Sequence, residues 1–104
     1  MKSETQKANG KLLTYNLVHC NMQVTIASLK NTGFFFDYSE DMEDGEKYEV
    51  YTYEVMAGKP MLQVTIEYDK VGVATNMYTE LENVKLEGIK DATDLKRVIN
   101  YIYG

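Results

Sequence analysis

The sequence has no tryptophan, one proline, one cysteine and one histidine, and each scarcity excludes something. A single thiol, Cys20, can form no internal disulfide and no zinc site built from several thiolates, so a reducing compartment is expected. No apolar stretch approaches the roughly 20 residues that a membrane-spanning helix needs. The polar first ten residues lack the apolar run of a signal peptide, so the chain is expected to stay in the cytoplasm of the cell that makes it. Basic residues are also in deficit, 11 Lys and Arg against 16 Asp and Glu. No run of them builds the positive face that displaces counterions from phosphates, so direct DNA or RNA binding is not expected.

What is present is one domain's worth of globular chain. At 104 residues, 44% apolar and 26% charged, it can bury a single core. Residues 1–10 read as a polar N-terminal segment and residues 11–104 as a single α+β domain. Nine Tyr and three Phe favour strands, because aromatic rings fit a half-buried pleated surface. The net charge of −5 is unevenly spread. Residues 37–54 hold Asp37, Glu40, Asp41, Glu43, Asp44, Glu46, Glu49 and Glu54 against Lys47 alone, whereas residues 1–36 are net basic.

Residues 11–18 read as a first strand and residues 22–29 as a second, where Met22, Val24 and Ile26 alternate with Gln23, Thr25 and Ala27. A turn at residues 31–33 precedes a short apolar third strand, Phe34-Phe35-Phe36, and an acidic loop follows around residues 41–45. Residues 47–56 and 61–68 form a hairpin through Gly58 and Pro60, with Leu62, Val64, Ile66 and Tyr68 on one face. Residues 73–79 and 84–86 add a sixth and a short seventh strand. Leu95, Val98, Ile99 and Ile102 then share one helical face behind an Asp91 N-cap, leaving Lys96, Arg97 and Asn100 to water.

Thr14-Tyr15-Asn16-Leu17 followed by Met22-Gln23-Val24-Thr25-Ile26 echoes Thr52-Tyr53-Glu54-Val55 followed by Leu62-Gln63-Val64-Thr65-Ile66. The fold expected is therefore an antiparallel sheet of about six strands, or two three-stranded units, covered by one C-terminal helix.

Catalytic chemistry finds little purchase. His19 and Cys20 are adjacent, and neighbours in extended chain point to opposite faces, so they make no nucleophile pair. An EF-hand loop with Gly45 at its glycine position places Met42 where a calcium ligand is required. No glycine-rich phosphate loop, zinc signature or serine elbow occurs, so no catalytic residue, metal or cofactor is expected. The suggestive segment is the Tyr-rich strand, with Tyr51 and Tyr53 on one face and Tyr48 on the other, because Tyr serves interfaces as readily as cores.

In size, acidity, Tyr and Met content and lack of catalytic groups, the chain resembles the small phage-encoded inhibitors of bacterial defence nucleases, anti-CRISPR proteins among them. That resemblance implies a non-enzymatic inhibitor, a monomer or homodimer, bound to a protein partner with a basic surface, such as a Cas nuclease. An acidic, Tyr-bearing surface can fill a nucleic-acid channel by imitating phosphate spacing. The residues expected to make the contact are Asp37, Glu40, Asp41, Glu43, Asp44, Glu46, Glu49, Tyr48, Tyr51 and Tyr53. The alternative expectation is a phage or mobile-element structural subunit that self-associates through a sheet edge. A third is a small-ligand module with a pocket between sheet and helix.

Overall fold

A computed structural model describes residues 22–55 and 57–104. The strand expected at residues 11–18 lies outside the described residues, as do His19, Cys20 and the first half of the repeat's first copy.

Among the described residues five strands form one antiparallel meander in the order β1 (Phe34–Asp41), β2 (Lys47–Tyr53), β3 (Leu62–Tyr68), β4 (Ala74–Leu81) and β5 (Val84–Leu86). Each strand pairs with its chain neighbour, because tight turns allow antiparallel partners to follow one another directly. Gly58 and Gly72 supply the positive φ angles, 90° and 88°, of the β2–β3 and β3–β4 connections. Helix α1 (Ile26–Thr32) precedes the sheet and α2 (Ala92–Tyr103) follows it. Both contribute to the core that builds up on one sheet face: Leu29 and Leu95 meet Phe34, Tyr51, Leu62, Val64, Ile66 and Met77. Burial of side chains of this kind stabilises by about 1.5–3 kcal/mol each.

Residues 22–29, expected as a strand, prove to be an extended entry followed by α1. Met22 and Val24 are buried and Gln23 exposed, so the alternation is genuine for its first half. Thr25 then stops it: its hydroxyl accepts a hydrogen bond from the Ser28 backbone N–H at 3.0 Å and caps a helix. Gly33, at φ 119°, closes that helix by donating its N–H to the carbonyls of Leu29 and Lys30. Met22–Ile26 therefore differs in structure from Leu62–Ile66, whose residues lie in a continuous strand, and the two three-stranded units are not formed. One five-stranded sheet takes their place.

The expected three-residue apolar strand is also longer, running on through the acids to Asp41. A bulge between Phe36 and Tyr38 reverses its alternation. Phe34 and Phe36 pair with Tyr53 and Tyr51 on the helix side, whereas Tyr38 and Glu40 pair with Val50 and Tyr48 on the far face. The expectations for β3, β5 and α2 hold in detail. Leu62, Val64 and Ile66 are fully buried, β5 has the expected bounds, and the Asp91 side chain accepts from the Asp94 N–H at 3.0 Å. Among the described residues no helix is long and apolar enough to cross a membrane.

Candidate functional site

The acidic segment becomes a hairpin. Asp37, Glu40 and Asp41 lie on β1, and Glu43, Asp44 and Glu46 occupy its tip, where Glu43–Gly45 makes a single 3-10 turn. Met42 donates its N–H to the Glu46 carbonyl at 2.6 Å and closes the loop. Asp44 takes φ 69°, a left-handed conformation that a short polar side chain tolerates. The carboxylates from Glu40 to Asp44 are exposed, and none forms an ion pair with a described residue.

Lys47, the one base in this segment, does not neutralise them. It sits on the helix-side face with its Nζ 3.6 Å from Glu49 and 5.4 Å from the centre of the Tyr68 ring. Among the described residues no Lys or Arg forms an ion pair with the tip carboxylates, although the Lys70 side chain starts beside Gly45, so the hairpin presents a net negative field outward.

The expected contact residues divide between the two faces. Tyr51 is 4% exposed and belongs to the core, with its ring edge-on to Phe36. Tyr53 is half-buried, edge-on to Phe34 and stacked on Tyr103 at 5.1 Å. Glu49 lies on the same side and is fully engaged: its Oε1 accepts hydrogen bonds from the Tyr68 hydroxyl at 2.9 Å and the Tyr51 hydroxyl at 3.2 Å. Burial, followed by the Glu49 charge, pushes both phenols well above their ordinary value of 10.0. Tyr53 thus ties the sheet to α2, and Glu49 ties Tyr51 on β2 to Tyr68 on β3.

The opposite face is aromatic and acidic. Its floor is Val50, Thr52 and Thr65, all buried, and the Thr52 hydroxyl donates to Asp37 Oδ2 at 2.6 Å while accepting from Gln63 Nε2 at 3.2 Å. Above the floor Tyr38 meets Tyr48 edge-on at 6.4 Å, and Tyr78 carries the Lys85 ammonium 4.8 Å over its ring. Burial and then the fields of Tyr48, Asp37, Glu40 and Glu80 raise the Tyr38 phenol, and burial followed by Glu67 raises that of Tyr78. Asp37, Glu40, Tyr48, Tyr38, Tyr78, Glu67 and Glu80 thus share one field.

Four of those residues, Tyr38, Glu67, Tyr78 and Glu80, were not among the expected contacts. Alternation along β3 and β4 was the available signal for Glu67, Tyr78 and Glu80, since Ile66, Met77 and Thr79 mark the buried register. For Tyr38 no such signal existed, because the bulge sets its direction.

Two other features complete the survey. Among the described residues no group of three His, Cys, Asp or Glu converges in a way that could hold a metal ion. A groove of about 440 Å³ between α2 and the β4–β5 hairpin is lined by Leu81, Leu86, Val98, Tyr101, Ile102 and Arg97. Its single charged group, Arg97, is paired with Asp94 at 3.2 Å, so the groove offers no converging polar groups to orient a small ligand.

Comparison with protein-family models, with curated proteins and with solved structures finds no match. The functional reading accordingly rests on the chemistry of the hairpin and the aromatic face.

Proposed function

We propose that the protein is a non-enzymatic binding module, an inhibitor that occupies a basic, nucleic-acid-binding surface of a protein partner such as a CRISPR-Cas nuclease. The observation that carries this reading is the outward charge of the β1–β2 hairpin, whose tip carboxylates are exposed and form no ion pair with a described residue, while its one lysine lies beside Glu49 and the Tyr68 ring. Carboxylates so placed attract a basic partner at long range, and Tyr48 and Tyr38 beside them offer flat contact area at low entropic cost. Inhibition follows from occupation: while the hairpin fills the channel, phosphates cannot.

The test is a four-residue variant, Glu40→Gln, Asp41→Asn, Glu43→Gln and Asp44→Asn, assayed against a basic nuclease complex over a salt series. These side chains are exposed, so stability should change by no more than about 0.5 kcal/mol. Association should slow and its salt dependence flatten, since exposed charges act mainly through steering. Unchanged binding across the series would sink the reading.

A second reading, a structural or assembly subunit of a phage or mobile element, draws on one observation of its own. Edge strand β1 leaves Phe35, Phe36 and Tyr38 substantially exposed. Self-pairing through that edge would appear as a rise in mass with concentration on sizing.

A further inference from the structure

Strand β1 has eight residues and a single described neighbour, β2, so its other edge presents backbone N–H and C=O groups that no described strand satisfies. Long open edges are hazardous, and small proteins usually keep them short or polar. Here the edge also exposes large rings on both faces: Phe35 is 44% and Tyr38 43% exposed on the far face, and Phe36 49% exposed on the helix side. An incoming strand would find a ring beside it whichever way its side chains alternate.

The charges select the occupant. Asp37, Glu40 and Asp41 lie along the same strand, with Glu43 and Asp44 beyond its end. A second copy of this edge would bring its own carboxylates against them, and like charges across a strand pair are destabilising. An extended segment carrying Lys or Arg meets the opposite situation, with backbone groups to pair, rings to cover and carboxylates to neutralise.

We infer that β1 is a docking edge that adds an extended, Lys- or Arg-bearing segment of a partner protein as a sixth strand, main chain to main chain. The inference rests on the proposed binding of a basic partner and specifies how that partner is held. Hydrogen bonds along the edge supply sequence-tolerant affinity, and Asp37, Glu40 and Asp41 supply the preference for positive charge. The hairpin tip then acts in the encounter, and β1 in the complex.

The experiment uses the full chain and three synthetic octapeptides: alternating Lys-Val, alternating Glu-Val, and Lys-Val with the amides along one edge N-methylated. Binding is followed by fluorescence anisotropy and by backbone amide shifts. Lys-Val should bind with shifts concentrated in residues 34–41, and the Glu-Val and N-methylated peptides should each bind at least about tenfold more weakly. The triple variant Asp37→Asn, Glu40→Gln and Asp41→Asn should weaken Lys-Val by about tenfold while the amide spectrum remains that of the folded sheet. Equal affinity for the N-methylated peptide would overturn edge addition and leave only charge attraction. Equal affinity for Glu-Val would overturn the charge preference, and shifts centred on another element would remove β1 as the site. A rise in mass on sizing, with β1 shifts that no peptide displaces, would make a second copy the occupant and overturn the inference. If these peptide results fail while the four-amide hairpin variant still weakens nuclease binding, only the edge mode is lost. If nuclease binding ignores that variant, the functional reading itself fails.

Discussion

Single residues in the acidic run have divergent roles despite similar chemistry. Glu49 accepts from two phenols and pairs with Lys47, so Glu49→Ala strands two hydroxyls at the edge of the core. A loss of about 1–3 kcal/mol is expected, measured by urea denaturation. Glu43→Ala, on the exposed tip, should stay within about 0.5 kcal/mol in the same assay. The phenols give the pair a pH signature. Tyr51 and Tyr68 titrate above the unfolded value of 10.0, chiefly through burial and then through Glu49. Their contribution to stability is thus complete below pH 10.0 and is lost as pH rises from there toward the folded values, because only the unfolded chain releases these protons easily. Denaturation midpoints should fall above that pH, with the phenolate absorbance of both rings appearing together with unfolding. In Tyr51→Phe and Tyr68→Phe together, the alkaline fall should become shallower. The Tyr68 hydroxyl was invisible as a partner of Glu49 in one dimension, since it lies on another strand, whereas Tyr51 stands two residues from Glu49 on the same strand.

Elements in this protein are decided by their ends as much as by their periodicity. Thr25 converts an alternating run into α1, so Thr25→Ala should cost about 1 kcal/mol. Gly33→Ala should cost more than about 1 kcal/mol, because φ is 119° and an added Cβ would lie 2.7 Å from the Tyr53 ring, itself stacked on Tyr103. Thermal unfolding of the two variants checks both figures. Helix α2 was legible because its stripe, Leu95, Val98, Ile99 and Ile102, has no competing period and begins at a capped Asp91. Leu95 is fully buried, so Leu95→Ala should lose about 2–5 kcal/mol. A chain ended before Asp91 should lose cooperative unfolding altogether, read by denaturant melts. Residues 22–29 were not legible in the same way, because Met22, Val24 and Ile26 fit a strand as well as they fit an entry to a capped helix.

At the scale of the molecule, the sheet separates charge from core: one face carries the helices, and the other carries rings and carboxylates. The acids along β1 would face one another if that edge paired with itself, and like charges across a strand pair are destabilising. Asp37→Asn, Glu40→Gln and Asp41→Asn should therefore raise self-association relative to the parent chain, seen as a concentration-dependent mass in light scattering. Composition, charge distribution and local period determined by themselves that the chain is α+β, that its negative charge gathers in residues 37–54, and that β3, β5 and α2 lie where they do. These properties depend on each residue and its near neighbours in the chain. Only the tertiary structure decided that Tyr51 and Glu49 serve the core, that Lys47 turns inward, and that Tyr38 and Tyr78 join Tyr48 on the acidic face. A single bulge at Asp37 sets which side of the sheet each later β1 side chain faces, and strand pairing places Glu40 opposite Tyr48 and Tyr48 opposite Glu67, in one row across three strands. Such relations depend on register, and register is a property of pairs of strands rather than of any one segment.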